Sequence, residues 1–213
     1  MNKSLRKLWA LAVVSTAILS APIMASDDIS LGEPGYGGSG CPQGSASTIL
    51  SPDGKALSIL FDEFMVEAGG DTRKRVARKT CNIAIPVHVP QGFSVSIIDV
   101  DYRGYNSLPS GSQATFTAEY FFAGQRGPRY RKNFRGYTDD EFLISNKLGV
   151  HALVWSKCGA DVNLRVNTGM MVRTNRYKDE ALSMVDSADF SAGIVYKLQW
   201  KKCHSSPYDD FYY

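Results

Sequence analysis

Four cysteines, at positions 41, 81, 158 and 203, constrain the fold of this chain more than any other feature. Their meaning depends on the first 25 residues. Three basic residues precede an apolar run at residues 8–21, and a possible cleavage point follows Ala25. This order is typical of a secretory signal peptide, which we place at residues 1–25. In an exported chain, an even number of cysteines predicts two disulfide bonds.

Four cysteines allow three pairings, and we favour Cys41–Cys81 with Cys158–Cys203, because each bond joins neighbours in chain order. Trp155 and Trp200 each precede a cysteine by three residues, a shared spacing that would fit two matched strands. Each bond would close a loop of about 40 residues and stabilise the fold by about 4 kcal/mol in the chain-entropy model. A metal site is the alternative, but there is no Cys-x-x-Cys and the three histidines are far apart.

The formal net charge of +3 comes from the predicted export signal. The whole sequence holds 24 Lys and Arg against 21 Asp and Glu, and the signal holds Lys3, Arg6 and Lys7 and no acid. Removal of these three cations leaves 21 against 21, which is formally neutral. A general attraction for nucleic acid therefore loses its support. No later apolar stretch approaches the roughly 20 residues that a membrane-spanning helix needs.

After the signal, strand patterns alternate with turn residues, and no long segment has helical period. We expect a flexible Gly-rich leader at residues 26–40, a single domain at 41–203 and a mobile tail at 204–213. Frequent short strands predict an all-β fold, an antiparallel β-sandwich of jelly-roll or immunoglobulin-like type with two disulfides. The candidate strands are Ala46–Leu50, Ala56–Glu67, Thr80–Val89, Phe93–Tyr102, Gln113–Phe122, Asp140–Ser145, Ala152–Lys157, Val162–Arg173, Ala181–Asp186 and Ile194–Lys202.

The strand that begins at Phe93 changes its alternation at Ile97-Ile98. Before this point the odd-numbered residues are apolar, and after it the even-numbered residues are. A strand of period two cannot change faces without an extra residue or a change in what covers it, so we expect a β-bulge or a crossing between sheets there. Beyond it the ionisable residues Asp99, Asp101 and Arg103 share one face.

This charged face has three interpretations. The simplest is a solvated ladder of ion pairs in which Arg103 neutralises Asp101. The second is a site for glycan or calcium that also uses Tyr102 and Tyr105. The third is a polysaccharide hydrolase that pairs Asp99 or Asp101 with a distant carboxylate such as Asp139 or Glu141, because glycosidases use carboxylates about 5–9.5 Å apart.

The sequence Asp139-Asp140-Glu141 is a second acidic cluster that could add oxygen ligands for Ca²⁺. It lacks the spacing of a calcium-binding loop, so we interpret it as a polar turn. We expect no other cofactor.

Two segments, Arg73–Lys79 and Arg126–Arg135, hold five cations each, which is a marked asymmetry in a neutral protein. We interpret both as loops. If they meet at one end of the sandwich, Arg129, Arg131 and Lys132 would attract an anionic glycan or headgroup. Tyr130 and Phe134 could then stack on a sugar. The alternative is a pair of solvated hairpin loops.

Two other patterns carry little weight. Residues 35–40 fit G-x-G-x-x-G, but no strand precedes them and no helix is predicted after them, so a nucleotide loop is not favoured. His88, His151 and His204 have no triad spacing.

The order of several motifs resembles a family of small secreted proteins of bacteria and fungi, a domain-of-unknown-function family numbered 4360. The motifs are Gly-Ser-Gly-Cys-Pro at 38–42, Val-Asp-Tyr-Arg-Gly-Tyr at 100–105, Leu-Val-Trp-Ser-Lys-Cys-Gly at 153–159 and Leu-Gln-Trp-Lys-Lys-Cys at 198–203. The resemblance covers roughly residues 38–203. It implies secretion and the cysteine framework, and it implies no activity and no catalytic residue.

We therefore expect a secreted, non-enzymatic β-sandwich that binds carbohydrate or an anionic polymer outside the cell, or in the periplasm of a bacterium. The expected partners include no nucleic acid, and no membrane span is expected. The alternatives are the hydrolase described above and a protein-binding module, such as an inhibitor or envelope component, which would expose an apolar patch.

Overall fold

The computed structural model describes residues 30–148, 153–185 and 194–203. The predicted signal peptide, the C-terminal tail, His151 and His204 lie outside the described residues. Thirteen β-strands and a 3₁₀ turn at Gly70–Thr72 form the described part of the chain. In chain order the strands are β1 (Ser30–Leu31), β2 (Gly35–Gly37), β3 (Ala46–Leu50), β4 (Ala56–Phe61), β5 (Met65–Ala68), β6 (Val76–His88), β7 (Phe93–Leu108), β8 (Gln113–Phe122), β9 (Arg129–Arg135), β10 (Thr138–Lys147), β11 (Val162–Arg173), β12 (Ala181–Val185) and β13 (Ile194–Lys202).

The strands form two antiparallel sheets that pack together around one hydrophobic core, which confirms the predicted β-sandwich. One sheet has the order β1–β6–β11–β8–β9, with β2 also paired to β6. The other has the order β3–β4–β13–β7–β12–β5, with β10 also paired to β7. Both sheets contribute buried side chains to the same core, and its largest members include Tyr102, Tyr120, Tyr196 and Phe116.

The alternation read from the sequence decides which side chains enter this core. In β6, the side chains of Ile83, Ile85 and Val87 are all less than 5% exposed. Successive strand residues point to opposite faces, so the residues between them point outward. Each sheet therefore has one face in the core and one outer face.

Strand β7 is the centre of the seven-stranded sheet. Strand β13 pairs with residues 93–102 of β7, and β12 pairs with residues 104–107. Strand β10 pairs with residues 99–108 and so overlaps both partners. Because one strand offers only two edges, β10 must occupy one edge, and β12 and β13 must follow each other along the other.

The predicted bulge in β7 is confirmed. Lys197 of β13 lies opposite Asp99, whereas the next residue, Leu198, lies opposite Ile97. Ile98 is therefore the extra residue of the bulge, because it has no partner in β13. Val95 and Ile97 face the core before it, and Val100 and Tyr102 face the core after it, which explains the change of alternation.

Both predicted disulfides are present, and the Cα atoms are 5.3 Å apart in Cys41–Cys81 and 6.0 Å apart in Cys158–Cys203. Trp200 pairs with Val95 on one edge of β7, and Trp155 pairs with Ser96 on the other. The second disulfide therefore joins two segments that flank the first half of β7.

The expected strand at Ala152–Lys157 was wrong, because its described residues form only the single bridge at Trp155. The hydroxyl of Ser156 accepts the main-chain N–H of Val95 at 3.0 Å, and this bond takes the place of a main-chain carbonyl in the ladder.

The expectation of a flexible leader was also wrong for the residues from 30 onward. Strands β1 and β2 pair with β6 at residues 87–88 and 82–84. Gly38, with φ of 141°, continues along the same edge, and a Cβ at this position would lie 2.1 Å from the carbonyl oxygen of Thr80. These strands were not predicted because they are too short to show an alternating pattern: β1 has two residues, and β2 is one tyrosine between glycines.

The two basic segments were wrongly predicted as loops. Arg129–Arg135 is strand β9, and β6 begins at Val76, inside the other segment. In β9, Tyr130 and Phe134 point inward while the arginines point outward. The segment therefore has the alternation of an edge strand, which its high density of charge made hard to recognise. The predicted strand at Ala56–Glu67 is interrupted at residues 62–64 and forms β4 and β5.

Candidate ligand-binding face

The outer face of the six-stranded sheet gathers side chains from four strands. Strand β11 is central, with β6 on one side and β8 on the other, and β9 follows β8. The registers place outward-pointing residues side by side in rows across the sheet. The central rows are Thr80–Gly169–Thr117–Arg131 and Asn82–Asn167–Glu119–Arg129.

Six exposed arginines point outward from these strands, and we call this surface the arginine face. Its arginines are Arg78, Arg129, Arg131, Arg135, Arg165 and Arg173. Among the outward positions of the four strands, Glu119 is the one acidic residue, and it forms an ion pair with Arg129 at 3.1 Å. The other five arginines make no ion pair with a described residue.

A shallow depression of about 470 Å³ lies in the middle of the arginine face. Its lining includes Arg78, Thr80, Asn82, Thr117, Arg131 and Asn167. Gly169 lies beneath three of these side chains, and a Cβ there would lie 3.0 Å from Oγ1 of Thr117, 3.5 Å from Nη2 of Arg78 and 3.6 Å from Cγ2 of Thr80. The hydroxyl of Thr117 donates to the carbonyl of Gly169 at 3.2 Å. The depression thus combines cationic and neutral hydrogen-bonding groups with one carboxylate, that of Glu119, which is paired with Arg129.

The two aromatic rings that the sequence suggested for sugar stacking face the core. Tyr130 stacks on Tyr102 with ring centroids 5.2 Å apart, and Phe134 packs on Phe142 at 4.8 Å. The expectation that Tyr130 and Phe134 would stack on a sugar was therefore wrong. Both rings cover the core because β9 is an edge strand whose inward positions they occupy.

The structure does not bring the residues predicted as a ligand site together: most of them are divided between the two outer faces. Arg129 and Arg131 belong to the arginine face. Lys132 occupies an inward-pointing position opposite Phe116, where it is exposed at the sheet edge. Asp99, Asp101, Arg103 and Tyr105 point outward from the seven-stranded sheet, on a surface that we call the mixed face.

Tyr102 belongs to neither face. Its side chain is fully buried in the core, stacked on Tyr130 and in edge contact with Phe116. Burial raises the pKa of its hydroxyl, with a further contribution from neighbouring tyrosines. Tyr102 therefore packs the sandwich and cannot reach a surface ligand. It was included because its neighbours in sequence are charged, although its own position is on the apolar side of the alternation.

The carboxylates of the mixed face are held by Lys197, not by Arg103 as the sequence suggested. Nζ of Lys197 lies 3.0 Å from Asp99 and 3.2 Å from Asp101. The hydroxyl of Ser145 also donates to Asp101. Partial burial opposes ionisation of Asp101, but the bonds from Ser145 and Lys197 outweigh it and lower the pKa of this carboxyl.

The solvated ladder expected here is only half correct. Asp101 is partly exposed, but Asp99 is only 7% exposed, and its Oδ1 is buried without a hydrogen-bond partner. Lys197 was missed because it lies almost 100 residues from Asp99 in the chain, on a strand whose register the sequence does not give.

The register also separates the carboxylates proposed for a hydrolase. Asp139 and Glu141 lie on β10 opposite Ser107 and Tyr105. At about 3.3 Å per residue along β7, Asp101 is about 20 Å from Asp139 and about 13 Å from Glu141. Asp99 is farther from both. These separations exceed the distances of retaining and inverting glycosidases, so this pairing cannot form such a site.

The acidic cluster at residues 139–141 is part of strand β10 and not a turn. Asp139 accepts a hydrogen bond from the hydroxyl of Tyr105, and this bond lowers the pKa of Asp139. Within the described residues, no group of three or more His, Cys, Asp or Glu is placed to hold a metal ion.

Most of the arginine face was missed from the sequence. Arg165 and Arg173 were not singled out, and neither were the threonines and asparagines of the depression, whereas Arg78 lies in the basic segment Arg73–Lys79 that was. Each strand does show polar residues at alternate positions, such as Thr80 and Asn82 in β6. That signal assigns them to an outer face but does not show that four strands bring them together.

The fold and this surface define a class: a disulfide-linked antiparallel β-sandwich with one open, arginine-rich sheet face. No helix among the described residues is long and apolar enough to span a membrane. Residues 27–203 match the family described as domain of unknown function (DUF4360), and the chain belongs to this family. An uncharacterized secreted protein of Arthroderma benhamiae is 30% identical over 169 residues, which are 79% of this chain and 69% of the relative. The protein is accordingly a secreted member of the family.

Proposed function

We propose that the protein is a non-enzymatic extracellular binding module that holds an anionic carbohydrate polymer against its arginine face. One observation carries the proposal: five outward arginines on one sheet have no ion-pair partner among the described residues, and a polar depression lies between them. Arginine presents a planar fork of donors that matches carboxylate and sulfate groups in pairs.

The surface also suits a long ligand. The arginines are spread over four hydrogen-bonded strands, so their backbone positions are fixed by the sheet. A polymer could contact several of them at once, and its attraction would weaken as salt screens the charges. The lack of an available aromatic ring in the depression favours an acidic sugar over a neutral one, since neutral sugars commonly pack their apolar faces on aromatic rings.

The protein-binding alternative has less support. The exposed apolar side chains of the mixed face include Ile49, Leu143 and Met65. The register places Ser58, Val195 and Asp101 between Ile49 and β10, the edge strand that carries Leu143. Ile49 and Leu143 therefore do not belong to one continuous patch, which such a module would need.

Affinity chromatography of the mature protein tests the proposal. We expect retention on heparin and on dextran sulfate at low ionic strength, elution by moderate salt, and no retention on neutral dextran. A glycan array should give signals for acidic polysaccharides in preference to neutral ones. Passage of the mature protein through both anionic columns at low salt would refute the proposal.

A further inference from the structure

The depression above Gly169 differs from the rest of the arginine face. The other outward positions of β11 carry asparagine, arginine or methionine side chains, and Gly169 alone carries none. Glycine in the interior of a strand weakens the strand and often marks a place where a ligand or another backbone approaches closely. Gly169 itself is buried beneath the side chains of Thr117, Arg78 and Thr80, which border the open depression.

Apart from the Glu119–Arg129 ion pair, which also lines the depression, the groups around this space form two kinds of contact. Arg78 on β6 and Arg131 on β9 stand on opposite sides of it and have no ion-pair partner among the described residues. Between them lie the hydroxyls of Thr80 and Thr117 and the side-chain amides of Asn82 and Asn167. Hydroxyls and amides both donate and accept hydrogen bonds, as the hydroxyls of a sugar ring also do.

We propose that this depression is a subsite for one carboxylate-bearing sugar, a hexuronate, within the polymer. This inference rests on the proposed function and names the residue of the polymer that the site reads. Arg78 or Arg131 pairs with the carboxylate, and the threonines and asparagines bond the ring hydroxyls. The volume of about 470 Å³ lies in the lower part of the range of small-molecule pockets, about 300–1,000 Å³.

The same groups argue against a nucleic acid in this position. Single-stranded nucleic acids gain affinity from bases that stack on aromatic side chains. Tyr130 lines the depression, but its ring already stacks on Tyr102. A simple sulfated polymer, in turn, would use the arginines but would leave the amides and hydroxyls of the floor unused.

The test is to fill the depression without changing the charge. A Cβ on Gly169 would lie 3.0 Å from Oγ1 of Thr117, a hydroxyl that can rotate away, and φ of Gly169 is not in the left-handed region. Gly169→Val therefore adds two methyl groups among the side chains of Thr117, Arg78 and Thr80, which border the depression, and retains all six arginines. Gly35→Ala is the matched control, since a Cβ at Gly35 meets nothing within 4 Å.

Titration calorimetry with trigalacturonate is the measurement on the mature protein, with dextran sulfate retention measured in parallel. We expect Gly169→Val to weaken trigalacturonate binding by at least about tenfold through the lost hydrogen bonds, and Gly35→Ala to leave it unchanged. Dextran sulfate should still be retained by Gly169→Val. If Gly169→Val does not fold, as judged by thermal unfolding, the double variant Asn82→Ala with Asn167→Ala gives the same test by removing the amides.

The outcomes separate the two proposals. Equal affinity of wild type and the depression variants for trigalacturonate, or failure of the wild type to bind it while dextran sulfate is retained, overturns the hexuronate subsite alone. Stronger binding of a single-stranded oligonucleotide than of trigalacturonate also overturns it. Failure of the wild type to bind any of these anions overturns the proposed function as well.

Discussion

The two outer faces of the sandwich use their charges in different ways. On the mixed face, Asp99 and Asp101 share Lys197, and Asp139 accepts a hydrogen bond from Tyr105. On the arginine face, Arg129 pairs with Glu119, and the other five arginines have no ion-pair partner among the described residues. The carboxylates of Asp99, Asp101 and Asp139 are thus engaged within the fold, whereas five arginines of the opposite face have no such partner among the described residues.

This difference shows that a cluster of charges in sequence is a poor guide to a binding surface. Charges that find partners inside the fold contribute to stability, and a ligand would have to displace those partners. Unpartnered charges contribute little to stability and are available for binding. Mutations on the two faces should therefore separate stability from binding.

The largest expected effect comes from the disulfides. Cys41–Cys81 involves β6 of the sheet that carries the arginine face, and Cys158–Cys203 flanks β7 of the sheet that carries the mixed face. Removal of either bond, as Cys41→Ala with Cys81→Ala or Cys158→Ala with Cys203→Ala, should lower the free energy of unfolding by about 4 kcal/mol, because each closes a loop of 40 or 45 residues. Chemical denaturation measures the loss.

Binding should distinguish the two disulfides. Cys81 lies in β6 between Thr80 and Asn82, so loss of its bond should also weaken binding to dextran sulfate. Loss of Cys158–Cys203, at the start of β7, should leave the affinity of the remaining folded protein unchanged. Equal effects on affinity would contradict the assignment of the ligand to the arginine face.

The next effect is on affinity alone. The double variant Arg78→Gln with Arg131→Gln should weaken polyanion binding by about 100-fold, since a hydrogen bond to a charged group contributes about 1.5–3 kcal/mol. The matched variant Arg103→Gln with Lys147→Gln removes the same charge from the mixed face and should change the affinity less than about twofold. Surface plasmon resonance on immobilised heparin compares them. Similar losses in both variants would mean that net charge, and not the arginine face, determines binding.

A smaller effect concerns stability without binding. Lys197→Met leaves the nearly buried carboxylate of Asp99 without its cation, so the melting temperature should fall by more than in Arg78→Gln, which breaks no ion pair or hydrogen bond with a described residue. Differential scanning calorimetry measures both variants. Addition of Asp99→Asn to the Lys197→Met variant should restore part of the loss, and an additive double mutant would show that the two side chains are not coupled.

The smallest expected effect is the dependence of stability on pH. The pKa of Asp101 in the folded protein lies below its ordinary value of 3.8. Its contribution to stability is therefore complete above about pH 3.8 and is lost as the pH falls through the lower folded value. Asp101→Asn should reduce the loss of stability on acidification, as followed by urea denaturation at a series of pH values. An unchanged slope would show that Asp101 is not held by Lys197 and Ser145 in solution.

Much of the fold could be predicted because its signals are local. The alternation in β8, β11 and β13 gave the bounds of these strands, and the change of alternation at Ile97-Ile98 gave the bulge. The pairing of cysteines by chain order was confirmed. Predictions were wrong where the local signal was weak or misleading, as in the short strands β1 and β2, the arginine-rich edge strand β9 and the segment around Trp155.

The candidate site was less predictable. Arg129 and Arg131 were named from their density in sequence, but the residues that form the depression with them come from β6, β8 and β11. Tyr102 was named in error, because proximity to Asp101 in sequence outweighed its place in the alternation.

The sequence by itself determined export, the even set of cysteines and the two faces of each strand, since these depend on composition and on a period of two residues. The tertiary structure alone decided which outward faces meet. The order and register of β6, β11, β8 and β9 depend on how buried side chains far apart in the chain pack against each other, and no local pattern records that packing. Six arginines from these strands therefore share one surface that no single segment of the sequence displays.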